Sequence, residues 1–293
     1  NWFTKSERSR ANTFLILGNP VTVLWMSVLS GYLIQALGWR EMFILEGLPA
    51  VLWAFYWWKT ARDKPQQVDW LTQQEKDDLS EIMADEQKNI KPVRNYAEAF
   101  KSKNVILLCA QYFCWSIGVY GFVLWLPSII RGASNMGMIQ TGWLSSVPYL
   151  AATIAMITVS WLSDRMQNRK LFVWPMLLIG AICFLGSFLL GTDNFWLSYT
   201  LLVIAGASMY APYGPFFAII PEMLPKNVAG GAMALINSMG ALGSFIGSWV
   251  VGYLNGATGS PGASYIFMGS ALFVSVILTL IVKPNADEQS AHS

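Results

Sequence analysis

An all-α protein with several membrane-spanning helices is the fold class that this sequence predicts, and three observations support it. Hydrophobic residues make up 54% of the chain and charged residues only 12%, whereas about a quarter of the residues in an average soluble domain are charged. The mean hydropathy is +0.43. Apolar runs long enough to cross a hydrocarbon core of ~30 Å recur along the chain, and they are continuous, which favours helices over strands.

Eight apolar spans are predicted, two before and six after one long polar segment. The predicted spans lie at residues 13–37, 43–58, 105–130, 143–162, 171–190, 195–219, 229–254 and 264–282. The polar segment, residues 59–103, contains nine Lys or Arg and nine Asp or Glu, with a short amphipathic helix predicted at 71–84. We therefore expect residues 1–58 to end one helical bundle, 59–103 to form a loop, 104–283 to form a six-helix half and 284–293 to form a tail.

The basic residues predict the orientation of these spans. Seventeen of the 19 Lys and Arg residues fall on the side of the bilayer that contains the central loop, and only Arg40 and Arg131 fall on the other. Cytoplasmic flanks carry the excess of Lys and Arg, so both termini and the loop are predicted to be cytoplasmic. The net charge of +2 gives no indication of a nucleic-acid partner.

Several short motifs make the chain recognisable. A tight turn follows the first span at residues 38–49 (GWREMFILEGLP), Trp2-Phe3 precedes ERSRAN at 7–12, and Ser163-Asp164-Arg165 is followed by Arg169-Lys170. Together these segments resemble the major facilitator superfamily, in particular its anion:cation symporter (phthalate permease-like) branch. Within that branch, residues 8–20 and 111–128 are similar to the bacterial 2-ketogluconate transporters.

The resemblance implies a major facilitator fold in which eight of twelve helices, numbers 5 to 12, are present. It implies uptake of a sugar acid such as 2-keto-D-gluconate with protons, by alternating access, in a monomer of the bacterial inner membrane that needs no cofactor or metal. Another organic anion (aldonate, hexuronate, glucarate or tartrate) and a non-transporting membrane protein stay open as alternatives. Because the family places its proton-binding acid and its carboxylate-binding arginine on helices 1 and 4, we do not expect these eight spans alone to transport.

Polar residues inside the spans are the candidates for substrate contact. An amide deep in an apolar run is costly unless it is paired, and Gln111 is such a residue, with Trp115 and Tyr120 further along the same span. Asn237 is the lone amide in a glycine-rich span whose Gly243 and Gly247 predict close helix packing. The resemblance implies that Gln111 and Asn237 face the substrate.

Proline-interrupted helices supply two further candidates. Tyr213 lies between Pro212 and Pro215, and Asn19 immediately precedes Pro20. Prolines inside a helix leave carbonyls unpaired and introduce kinks, which suits a gate beside a binding site.

Charged residues near the helix ends predict a conformational latch. Asp164, Arg165 and Arg169 are expected to hold the cytoplasmic ends of two helices together in one conformational state. Glu46 and Glu222 are expected to form ion pairs at helix ends. An enzyme is disfavoured, because the only histidine is His292 in the tail and no nucleophile or metal-binding set accompanies Asp164.

Overall fold

Helices dominate the computed structural model, which describes residues 3–88, 96–134, 138–190 and 194–282. Those residues form eleven α-helices and two short 3-10 helices, and contain no strand. The α-helices are α1 (Arg8–Leu37), α2 (Trp39–Thr60), α3 (Gln73–Lys88), α4 (Tyr96–Lys101), α5 (Lys103–Ser134), α6 (Met138–Met166), α7 (Trp174–Leu190), α8 (Phe195–Tyr210), α9 (Tyr213–Met223), α10 (Lys226–Thr258) and α11 (Gly262–Ile281).

Six helical stretches within the described residues are long and apolar enough to cross a membrane, and they correspond to the six spans predicted after the polar segment. The two earlier spans are also helical, as α1 and α2, but neither is among those six. In α2, Glu46 and four tryptophans lower the apolar character of an otherwise hydrophobic helix. The helix predicted at 71–84 is α3, and the predicted tail at 284–293 lies outside the described residues.

The span predicted at 195–219 is divided into two helices. α8 ends at Tyr210 and α9 begins at Tyr213, so the break falls at Ala211 and Pro212. Pro212 has no amide hydrogen to donate, and its carbonyl instead accepts the amide of Phe216, which starts the new helix. The expected interruption of this span is therefore confirmed.

A seam of glycines holds α10 directly against α5. A Cβ added at Gly243 would lie 2.3 Å from the carbonyl oxygen of Phe113, and one added at Gly247 would lie 2.6 Å from that of Ile117. These are backbone atoms, which cannot rotate away. The close approach predicted from the GxxxG pattern is thus confirmed, and it places α5 between α10 and α11, both of which pack extensively on it.

Valine at Gly243 is expected to destabilise the bundle, because its side chain would occupy the position of the Phe113 backbone. We expect a loss of about 1–3 kcal/mol or more, the usual range for overpacking. Gly256→Val is the matched control on the same helix, since no atom lies within 4 Å of a Cβ at Gly256. Thermal unfolding in detergent compares the two variants, and equal midpoints would contradict the role given to the seam.

Helix α1 packs against the six-helix half, along α6 and α9. Just before α1 begins, the carbonyl of Lys5 accepts a hydrogen bond from Arg169, which also binds Glu222 near the end of α9. Thr13, further along α1, lies against Gly214 near the start of α9, so the two helices run in opposite directions. Helix α2 contacts α1, and most of its large apolar side chains are exposed.

Candidate functional site

A cluster of aromatic side chains fills the space around the break between α8 and α9. The rings are joined by contacts with centroid separations of 4.5–6.3 Å, and all of these residues are buried. We call Tyr112, Trp115, Tyr149, Tyr210, Tyr213, Phe216 and Phe217 the aromatic cluster. They come from three helical spans, so the cluster ties α5 and α6 to the broken span.

Two of the predicted substrate residues, Trp115 and Tyr213, meet inside the aromatic cluster. Their ring centroids are 4.5 Å apart, and Trp115 is completely buried. The Trp115 indole N–H donates a hydrogen bond of 3.0 Å to the carbonyl oxygen of Met209. An unbroken helix would bond that carbonyl to the amide of Tyr213, so Trp115 replaces a hydrogen bond that the break removes.

Gln111 lies one turn before Trp115 on α5 and is completely buried. Among the described residues, neither Nε2 nor Oε1 of Gln111 has a hydrogen-bond partner, and the same holds for Oγ of the buried Ser116. The backbone carbonyl of Gln111 accepts a hydrogen bond from the hydroxyl of Ser275 in α11, at 3.0 Å. A buried amide with no protein partner costs about 1–3 kcal/mol, so the position favours a ligand or another function over stability.

The other three predicted substrate residues are more exposed. Asn237 is exposed on α10 one turn before Gly240, where an added Cβ would lie 2.1 Å from Cε1 of Tyr112. Tyr120 is partly buried two turns after Tyr112. Asn19 is exposed on α1, six residues after Thr13, the residue that lies against Gly214. The structure therefore brings Asn237 near the cluster and places Asn19 on a different helix, α1.

Asp164, at the end of α6, binds the start of α1. Its carboxylate accepts the backbone amides of Ser9 at 3.2 Å and Arg10 at 2.8 Å, and the Arg10 side chain at 3.2 Å. These amides belong to the first turn of α1, where backbone donors have no partner within the helix and the helix dipole favours a negative charge. Asp164 therefore caps α1 from a neighbouring helix.

Arg169 connects this cap to α9. The guanidinium is 2% exposed and donates to Asp164 Oδ1 at 2.6 Å, to Glu222 Oε1 at 3.1 Å and to the carbonyl oxygen of Lys5 at 2.6 Å. The ion pair expected for Glu222 is thus present. Arg165 lies outside these contacts, with its guanidinium 5.6 Å from the ring of Trp161, so its predicted place in the latch is not reproduced. We call Asp164, Arg169 and Glu222 the latch.

The central loop reaches the same end of the bundle. Glu86 of α3 accepts the side chain of Arg8 at 2.8 Å and the backbone amide of Lys5 at 2.5 Å. Arg8 and Glu86 are both largely buried, which is unusual for a surface ion pair. Sequence reasoning did not identify Glu86, since it is one of nine acidic residues in the loop and no pattern sets it apart.

Helix α9 connects the latch to the aromatic cluster. Glu222 lies near one end of α9, and Tyr213 and Phe216 lie near the other, so about three turns of helix join the two groups. At Gly214, an added Cβ would lie 1.9 Å from Oγ1 of Thr13 and 2.7 Å from the carbonyl oxygen of Ser9. This contact was also missed, although Gly214 sits between two residues that were noted, Tyr213 and Pro215.

Metal binding is not supported by this arrangement. In the part of the chain that the structure describes, no group of three or more His, Cys, Asp and Glu side chains is positioned to hold a metal ion. The polar groups available are instead an amide, hydroxyls and one set of ion pairs, which suit binding and conformational change.

Similar proteins place this geometry in context. The chain is 28% identical to a quinolone resistance transporter of Acinetobacter baumannii, over 100% of this chain and 69% of the relative. It is 28% identical to a putative tartrate transporter of Agrobacterium vitis (96% and 64%) and 24% identical to a probable galactarate/D-glucarate transporter of Bacillus subtilis (96% and 64%). The chain thus spans about two thirds of the length of these relatives.

A solved structure shows the same fold. The proton:xylose symporter XylE, bound to 6-bromo-6-deoxy-D-glucose, superposes with a TM-score of 0.69 at 16% identity, over 98% of this chain and 67% of that one. The family model of the Major Facilitator Superfamily matches residues 1–248 and 133–293. The chain belongs to the Major Facilitator Superfamily, whose members are transporters and not enzymes.

Proposed function

We propose that this chain contributes helices 5 to 12 of a twelve-helix carrier that takes up a sugar acid, 2-keto-D-gluconate, together with protons by alternating access. The observation that carries the proposal is Gln111, a completely buried amide whose two hydrogen-bonding atoms have no partner among the described residues, on the helix that supplies Tyr112 and Trp115. Such an amide both donates and accepts, as the hydroxyls of a sugar acid require.

A hydroxylated carboxylate also matches the surroundings of Gln111. Aromatic rings offer flat apolar walls, and Tyr112, Tyr210 and Tyr213 add hydroxyls to them. Relatives named as tartrate and galactarate/D-glucarate transporters support this class of substrate, because those names denote hydroxylated carboxylates. Other aldonates and hexuronates of the same size are the nearest alternatives.

Asn237 is proposed as a second contact with the substrate, from α10. It lies one turn from the point where Gly240 touches Tyr112, so a molecule that binds beside Tyr112 is within reach of its amide. We propose that Tyr120 borders the same space, whereas Asn19 acts elsewhere, as a polar residue at the Pro20 irregularity of α1.

We propose that the latch responds to the binding of substrate at the aromatic cluster. Because α9 connects Tyr213 to Glu222, a substrate that displaces the aromatic cluster would move the carboxylate that Arg169 holds. Loss of that contact would free α9 from Arg169, whose guanidinium also binds Asp164 and Lys5, and would open the latch end. We propose that this end is cytoplasmic, that residues 59–103 form the cytoplasmic loop between two halves, and that the carrier is a monomer of the bacterial inner membrane.

Methionine at Gln111 tests the assignment, because binding and stability are expected to change in opposite directions. Gln111→Met keeps the side-chain volume and removes the unpaired amide, so the free energy of unfolding should stay equal or rise by about 1 kcal/mol. The affinity for 2-ketogluconate should fall about threefold to tenfold, and Asn237→Ala should lower it similarly.

The measurement is uptake of labelled 2-ketogluconate by cells that express the complete carrier, with and without a pH gradient. Tartrate, glucarate and a hexuronate serve as competitors, to rank the substrates. An unchanged affinity in both variants would remove Gln111 and Asn237 from the site, and uptake that ignores the gradient would remove proton coupling.

A further inference from the structure

A separate cavity lies at the end of the bundle opposite the latch. Its volume is about 270 Å³, and it is enclosed by the last turns of α5 and α7, the first turns of α8 and the start of α11. Leu202 is its deepest residue along α8, eight residues before Tyr210, which corresponds to about 12 Å of helix. The cavity is therefore distinct from the aromatic cluster.

Three buried residues with hydroxyl groups line this cavity. Ser187 is fully buried, and its hydroxyl donates only a long bond of 3.4 Å to the carbonyl oxygen of Ser198. Ser198 and Tyr265, residues that are 8% and 5% exposed, contribute two further hydroxyl-bearing side chains to the lining. A fourth hydroxyl, on Tyr199, is already bonded to the carbonyl oxygen of Leu144 at 2.8 Å.

The remaining walls are apolar and largely aromatic. Phe188 and Phe195 stand beside Tyr199 and Tyr265, and Ile129 closes the side formed by α5. The lining residues, all of which belong to the described part of the chain, include no Asp, Glu, Lys, Arg or His. An anion would lose its hydration here without gaining an opposite charge, so the proposed sugar acid does not fit.

A ligand without polar groups fits no better, because it would cover the hydroxyls of Ser198 and Tyr265 without offering them a hydrogen bond. The walls instead match an uncharged molecule with a flat apolar body and one or two hydrogen-bonding groups. At the packing density of protein interiors, about 0.75, a cavity of about 270 Å³ has room for such a molecule. Phe188 is 37% exposed and adjoins Leu189, which is 74% exposed, so the cavity lies next to the apolar outer surface of the bundle.

We infer that this cavity is a second ligand site, which binds a small uncharged aromatic alcohol through the hydroxyls of Ser198 and Tyr265. Such molecules partition into the membrane interface, and the half-exposed Phe188 lies on the side from which they would enter. The site is independent of the proposed substrate site, because it differs from it in position, charge and polarity.

The probe is 2-naphthol, which is uncharged at neutral pH. Its binding is measured with the complete carrier in lipid nanodiscs, and the signal from empty nanodiscs of the same lipid is subtracted. Saturable binding of one molecule per chain is expected. Ser198→Ala combined with Tyr265→Phe removes both hydroxyls with little loss of volume, and should weaken the affinity about tenfold or more, since each hydrogen bond contributes about threefold to tenfold.

Ser208→Ala is the matched control, because it is the same substitution on the same helix about 15 Å further along. It should leave the affinity unchanged, and excess 2-ketogluconate should not displace the bound probe. Binding no greater than that of empty nanodiscs, an unchanged affinity in the double variant, or displacement by 2-ketogluconate would each overturn the inference. The last of these outcomes would place the probe in the proposed substrate site.

Discussion

Arg169→Met is expected to slow transport by the complete carrier about tenfold or more while the affinity for substrate changes less than about twofold. The guanidinium of Arg169 is buried and is shared by Asp164 and Glu222. Removing one partner from a buried ion pair typically costs about 3–5 kcal/mol, because the opposite charges stay buried. This cost falls on the state in which α1, α6 and α9 are held together, so it shifts the conformational equilibrium and not the binding step.

Arg165→Met is the control for this prediction, as it is the same substitution four residues away, in the last turn of α6. Arg165 is exposed and lies over Trp161, where a cation–π contact contributes about 0.5–1 kcal/mol. Transport rates and thermal midpoints should therefore stay near those of the wild type. If both arginine variants slowed transport equally, a general requirement for positive charge would replace the latch.

Gly214→Ala is expected to keep the latch end open. The new methyl group would lie 1.9 Å from Oγ1 of Thr13 and 2.7 Å from the carbonyl oxygen of Ser9, and the second of these is a backbone atom that cannot rotate away. Helix α1 must therefore move off α9, which separates Ser9 from Asp164. We expect transport to fall about tenfold or more, with the carrier populating the open state.

Spin labels at Ser6 and Met166, both exposed at the latch end, report this opening as a longer inter-label distance. Gly18→Ala is the matched control on α1, because no atom lies within 4 Å of a Cβ at Gly18. The distance distribution of the labelled Gly18→Ala carrier should match that of the labelled carrier without this substitution. A Gly214→Ala distribution that coincided with the control would show that α1 and α9 accommodate the methyl group without opening.

Periodicity and composition were sufficient to predict where the membrane-spanning helices of this chain lie. Each predicted span coincides with helix in the structure, because a run of about 20 apolar residues has few alternatives to a helix in lipid. The glycines at 243 and 247 were informative for a related reason, since small residues at that spacing leave room only for another backbone.

Side-chain partners were harder to predict, because they depend on how the helices are placed around one another. Trp115 was a candidate for substrate contact, and nothing in the sequence indicated that it is completely buried and bonds Met209, a residue 94 positions away. Arg165 and Arg169 look equivalent in the sequence, yet only Arg169 faces Asp164. Asp164 itself binds backbone amides of α1, and because every residue except proline has such an amide, the sequence does not show which ones a carboxylate will bind.

The bond from Trp115 to Met209 ties the first half of the broken span to α5. The indole satisfies the last turn of α8 from α5, and the glycine seam brings the backbone of α10 against that of α5, so α8 and α10 are both held directly to α5. Helix α9 shares no helical hydrogen bond with α8 across Ala211 and Pro212, so a rotation there would disturb its ring contacts with Tyr112 and Trp115 of α5 and leave both helical ladders intact. Two kinds of contact therefore hold one membrane span against α5. A hydrogen bond to the backbone holds α8, ring packing holds α9, and α1 packs on α9.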